Sequence, residues 1–195
     1  MSRFKPNLIK NIISMLIIVI TILIGLFILS NINNQTSNKI MIGGKFNLID
    51  QYGNNYLSQN VKKYKVIYFG YTFCPDICPL DVLKISNFIE ENKTLLSKTD
   101  FIFITVDPER DDIDQMNNFL SNFDANLIGL TGEPKDVSNV LKNFRIYVKK
   151  NKKGALSDTY LVDHSSLIFL LDKNDVYIAH FSPNDFEQNI LKYLY

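Results

Sequence analysis

Net charge, cysteine and histidine are what this sequence has least of. Its 21 Lys and Arg offset 20 Asp and Glu, leaving +1 over 195 residues. No whole-chain field therefore draws it to polyanions, and nucleic acid is not an expected partner. Two cysteines are too few to staple a small secreted fold. Standing four positions apart, Cys74 and Cys78 read as a site and not as scaffolding. With only His164 and His180 present, candidate imidazole ligands are few. Internal repeats are also absent, and the length suits one ordinary core plus something extra.

The extra part is N-terminal. From Ile12 to Leu29 only Ser14, Thr21 and Gly25 interrupt an apolar, uncharged run, which meets the length criterion of about 18 residues for a bilayer-spanning helix. Residues 12–30 are therefore expected to form a transmembrane anchor. Arg3, Lys5 and Lys10 precede it and no Lys or Arg follows until Lys39, so residues 1–11 belong on the cytoplasmic or matrix side. A cleaved signal peptide is the rival reading, but its apolar region is about 7–15 residues and ends in a small-x-small site. Ser30-Asn31-Ile32-Asn33 matches that poorly. The polar, aperiodic residues 31–42 read as a tether, and 43–195 as the folded domain.

Within that domain, Lys65–Tyr71 and Phe101–Val106 are short runs of β-branched and aromatic residues, the pattern of strands buried on both faces. Leu80, Leu83, Ile85, Phe88 and Ile89 recur at helical spacing between them, so residues 79–92 read as the crossover helix of a right-handed β-α-β unit. The alternation continues with a helix carrying Ile113, Met116, Phe119, Leu120 and Phe123. A strand at 127–130 and a helix after Pro134 come next. Residues 166–171 and 176–179 flank the polar turn 172–175 as a hairpin, and a last helix follows Pro183. This order predicts an α/β fold, a central sheet flanked by helices in a thioredoxin-like layer.

The cysteines fall just past the first central strand and at the mouth of the next helix, at the carboxyl edge where open α/β sheets place ligands. Pro79 suits a first helical position, and a helix N-terminus lowers a nearby thiol pKa. The spacing is C-x-x-x-C, unlike the C-x-x-C of thioredoxin-type redox centres, and leaves room for a bridging metal. Soft thiolates select Cu(I), zinc or iron–sulfur clusters, and an added imidazole fits copper or zinc. His164 lies at an element end before the hairpin. With Leu171 opposite Val176, His180 faces about Leu167, about 10 Å along the strand from His164. The two histidines then do not share a metal, which disfavours a tetrahedral Cys2His2 zinc site and leaves an open Cys-Cys-His site. Without its surroundings, a cysteine pair this close is as readily a structural disulfide.

Phe69-Gly70-Tyr71-Thr72-Phe73-Cys74-Pro75-Asp76-Ile77-Cys78-Pro79 resembles the signature of the Sco/SenC copper chaperones, assembly factors for the binuclear copper centre of cytochrome c oxidase. Gly43-Gly44-Lys45-Phe46, Thr105 to Asp111, Gly129 to Gly132 and Tyr160 to Ser166 resemble the family's other blocks in the same order, so the resemblance spans 43–195. Asn174 stands where similar proteins often carry Gly. The resemblance implies a thioredoxin fold with Cys74, Cys78 and His164 as copper ligands, and thiol redox chemistry beside metal binding. It implies delivery without enzymatic turnover. The partners would be the copper-bearing subunit of cytochrome c oxidase and other copper or thiol-redox assembly factors. The domain would face the periplasm, or the mitochondrial intermembrane space, from a single-pass inner-membrane anchor.

Asp107, at the carboxyl end of the second strand, and Asp76, between the cysteines, are candidates to support the ligands or dock a partner. The basic cluster Lys142, Arg145, Lys149, Lys150, Lys152 and Lys153 reads as a solvated helix end and loop. A thiol–disulfide oxidoreductase that uses Cys74 and Cys78 to keep oxidase cysteines reduced is the alternative function. A peroxidase with a single attacking thiol is disfavoured by the paired cysteines.

Overall fold

The computed structural model describes residues 6–34, 42–123, 125–152 and 160–194. The chain divides into two units, Met1–Ile40 and Met41–Tyr195. In the first, α1 (Pro6–Asn34) is a single 29-residue helix, about 43 Å long at 1.5 Å per residue. Its stretch Lys10–Ile28 is long and apolar enough to cross a membrane by length and composition. The helix outruns the expected span 12–30 at both ends, because backbone hydrogen bonding continues past the apolar residues into their polar flanks. Pro6 opens it, where a missing N–H is harmless. Arg3, Lys5, most of the expected tether (35–41) and Lys153 lie outside the described residues.

The second unit is built on a seven-stranded sheet. Its strands are β1 (Asn47–Asp50), β2 (Asn55–Leu57), β3 (Tyr64–Gly70), β4 (Thr99–Thr105), β5 (Leu127–Thr131), β8 (Ile168–Leu171) and β9 (Tyr177–Phe181). Their order is β2-β1-β5-β4-β3-β8-β9, with β3, β4 and β5 parallel and the outer pairs antiparallel. Every residue of β4 is buried, as are the last six of β3, so the unbroken apolar runs reflect burial on both faces. Helices α2 (Ile77–Glu91), α3 (Ile113–Leu120), α4 (Pro134–Phe144) and α5 (Phe186–Leu194) supply the crossovers and the C-terminal cover. This is the expected thioredoxin-like arrangement. Phe69, Phe144 and Phe169 meet at ring separations of 5.1–5.7 Å in the core. Gly70 ends β3 where an added Cβ would lie 2.8 Å from the Phe103 ring, so the strand's exit toward the cysteines requires the missing side chain.

Three expectations need correction. Helix α2 starts at Ile77, two residues early, placing Pro79 third; the first four N–H groups of a helix lack intrahelical partners, so proline is tolerated there too. The hairpin register pairs Leu171 with Tyr177 across a bulge and Phe169 with His180, two residues further along the strand than the expected partner Leu167. At its turn Asp175 takes the left-handed backbone (φ 65°); its buried carboxylate stands 2.8 Å from the fully buried Lys65 ammonium. Lastly, β6 (Val148–Lys152) and β7 (Tyr160–His164) form a separate two-stranded ribbon. Lys149, Lys150 and Lys152 therefore lie on a strand, one whose polar sequence has no apolar alternation to announce it.

Candidate metal centre

Three segments converge at the carboxyl edge of β3 and β4. The first is the loop from Tyr71 to Asp76, held open by a buried acid: Asp111 accepts the Thr72 N–H at 3.1 Å, the Thr72 hydroxyl at 2.7 Å and the Thr105 hydroxyl at 2.6 Å. Burial raises the Asp111 pKa. The second is the first turn of α2, where Cys78 is buried and Cys74 half-buried beside it, both free thiols. The third is the end of β7, which brings His164 Nε2 to 3.3 Å from Cys78 Sγ.

The protonation of these groups follows from their neighbours. The Cys74 thiol is pulled down to about 5, first by the Cys78 S–H donating to it; burial opposes this, and the backbone N–H groups of Cys78, Asp76 and Ile77 reinforce it. Those N–H groups are the unpaired donors of the α2 N-terminus, and they stabilise an anion. Cys78 is pushed up, first because its proton is held by the Cys74 thiolate and then by burial. The pair shares one proton, resting on Cys78. His164 Nδ1 lies 3.1 Å from the Ser165 carbonyl oxygen. A carbonyl only accepts, so Nδ1 carries the hydrogen and Nε2 accepts from Cys78, whose one S–H is therefore shared between the Cys74 sulfur and the imidazole.

Around this core, the Tyr71 ring packs edge-on to His164 at 6.0 Å and its hydroxyl accepts the Val162 N–H at 3.3 Å. Asp107 is fully buried. Its two oxygens receive the Tyr160 hydroxyl at 2.7 and 2.8 Å, Arg110 Nε donates to it, and Lys150 stands 3.2 Å away. It anchors the far end of β7 and presents no surface for docking. Lys150 also pairs with Glu109 at 2.7 Å. Burial works against its charge, but these carboxylates more than offset it and raise its pKa, so this lysine is not the freely solvated residue expected. Asp76 is exposed at the α2 N-cap, where its side chain makes no cap bond; its contribution at Cys74 is its backbone N–H. His180 is bonded to the Tyr177 hydroxyl at 2.6 Å, apart from the centre. Among the described residues, no three His, Cys, Asp or Glu side chains are already close enough to hold a metal ion. Cys78 and His164 stand in contact at 3.3 Å, with Cys74 half-buried beside Cys78.

A family model described as SCO1/SenC matches residues 34–194. The chain belongs to the SCO1/SenC family. It is 36% identical over 186 residues to a SCO2-like protein of Rickettsia prowazekii, covering 87% of this chain and 89% of that one. It is also 36% identical over 160 residues to protein sco1 of Schizosaccharomyces pombe, 80% and 61% of the two chains. Among solved structures, it is similar to Bradyrhizobium japonicum ScoI with copper bound, with TM-score 0.70 and 37% identity over 78% of this chain and 99% of that one. Yeast Sco1 with copper bound gives TM-score 0.70 and 31% identity over 79% and 88%.

Two supports of this SCO1/SenC centre escaped sequence reasoning. Asp111 was visible only as part of a block. Asp81, on α2, is 2% exposed and accepts hydrogen bonds from Tyr68 Oη at 3.0 Å and Ser166 Oγ at 2.8 Å. A usable signal was there: an acid within the helix's apolar stripe, three residues after Cys78.

Proposed function

We propose that this protein is a membrane-anchored copper chaperone that delivers copper to the binuclear centre of cytochrome c oxidase during assembly. The supporting observation is the preset Cys78–His164 pair, 3.3 Å apart with the imidazole lone pair facing the sulfur. Two sulfurs and one imidazole are a soft set suited to Cu(I), and relatives of closely similar fold are described with copper bound. Helix α1 is the anchor, with the domain on the extracytoplasmic side. Incoming Cu(I), the cargo, meets the Cys74 thiolate, displaces the Cys78 proton and takes the Nε2 lone pair. Three ligands leave a coordination position through which a partner's ligands take the metal by exchange. The oxidase subunit that houses the copper pair is the recipient.

Thiol–disulfide exchange is the second reading, favoured by the asymmetry of one low-pKa thiolate beside one retained proton. Expression of variants in cells lacking the protein separates the two. Under copper delivery, His164→Ala leaves the oxidase without its binuclear copper, as Cys78→Ala does. Normal oxidase copper in the His164→Ala cells overturns copper delivery and favours thiol exchange, which does not need the imidazole.

A further inference from the structure

His164 belongs to a ribbon outside the main sheet, and a two-stranded ribbon does not hold its own position in water. Its contacts at the histidine end show what fixes it. Ser165 N–H donates to the Tyr147 carbonyl at 3.1 Å and accepts, through Oγ, the Tyr147 N–H at 3.2 Å. Tyr147 directly precedes β6, so these bonds close the ribbon on itself. The Asp107 and Arg110 contacts act at Tyr160, four residues and about 13 Å along the strand. Close to His164, Val162 N–H meets the Tyr71 hydroxyl at a long 3.3 Å, whereas Ser166 Oγ–H donates to Asp81 Oδ2 at 2.8 Å. The same carboxylate oxygen receives the Tyr68 hydroxyl at 3.0 Å.

Resting on the copper reading above, we propose that Asp81 is a positioning residue for the metal centre, fixing the backbone that carries His164 against the helical turn that carries Cys78. Positions 78 and 81 share one face of α2. One rigid turn therefore sets both the sulfur and the acceptor that holds Ser166, two residues beyond His164. The link sits on β3 as well, because Tyr68 spans from the sheet to the same oxygen. A carboxylate this buried is costly. Its nearest cation, Lys84, stands at 3.7 Å and is 42% exposed, too weak a partner to offset desolvation. An apolar residue would suit fold stability better in that helix stripe, so the acid's use is the two hydroxyl groups it orients.

The test is a double-mutant cycle on the reduced full chain in detergent, titrated anaerobically with Cu(I) against a competing chelator. Asp81→Ala and His164→Ala should each weaken Cu(I) binding by about 10- to 100-fold. The double variant should be no weaker than His164→Ala alone, because Asp81 acts through the imidazole. A general loss of fold would instead lower affinity in both backgrounds, and that result overturns the proposal. So does Asp81→Ala binding copper as the wild type does while His164→Ala does not; this leaves the three-ligand reading standing. If His164→Ala itself binds normally, the three-ligand reading fails and the proposal with it. Should Asp81→Ala not fold, Ser166→Ala deletes one hydroxyl from the same link and is read through the same cycle.

Discussion

The number of protons released when Cu(I) binds is set by which groups already lack one. Cys74, held near 5 by the Cys78 S–H, is a thiolate at neutral pH. Cys78 retains its proton, and with the Nδ1 hydrogen on the Ser165 carbonyl, His164 presents Nε2 as an acceptor. Loading the site at pH 7.5 should therefore release about one proton per copper. Two ordinary thiols would release about two, since each is more than about 90% protonated at that pH. The pH dependence follows with the same sign: just above neutral pH, binding should strengthen about tenfold per pH unit. It should steepen toward acid pH, where Cys74 takes up a proton that copper must then displace. Calorimetric Cu(I) titration of the reduced chain in buffers of different ionisation enthalpy, corrected for the chelator, counts the protons directly. Release of two at pH 7.5 would refute the single-thiolate arrangement.

Alkylation gives an independent view of the same pair. The rate of iodoacetamide attack on Cys74 should stay high as pH falls and drop by half near pH 5. In Cys78→Ala, which removes the S–H donor, the midpoint should rise. Equal midpoints in the two proteins contradict the assigned cause. Away from the site, Lys65 is fully buried and faces Asp175 at 2.8 Å, an ionic contact without hydrogen-bond alignment. Lys65→Met should cost about 3–5 kcal/mol in denaturant unfolding by stranding the carboxylate. Adding Asp175→Asn should restore most of it, since asparagine tolerates the left-handed backbone there; no restoration means that packing, not charge, is lost.

The centre of the sheet was legible because β3 and β4 are buried on both faces and announce themselves by composition alone, whereas the short outer strands β1 and β2 went unread. The ribbon β6–β7 was not: its order comes from pairing with its own partner strand, and Val148–Lys152 carries no period for a reader to find. The same distinction runs through the centre. Cys74, Cys78 and His164 were named from spacing and resemblance. Asp111, Arg110, Tyr160 and Asp81 act through contacts between segments up to 85 residues apart, as in the Ser166–Asp81 bond, and such contacts leave little trace in local sequence. Asp107 was expected near the metal edge and lies there, but its oxygens are committed to Tyr160, Arg110 and Lys150. Position along a strand could be read from the sequence, whereas the direction a buried carboxylate faces could not.

The central claim is that one imidazole completes a site begun by two sulfurs. X-ray absorption at the copper edge of the Cu(I)-loaded full chain tests it most directly. The account predicts a three-coordinate spectrum with two sulfur neighbours and one nitrogen, the nitrogen vanishing in His164→Ala. A two-coordinate, all-sulfur spectrum identical in both proteins would contradict it.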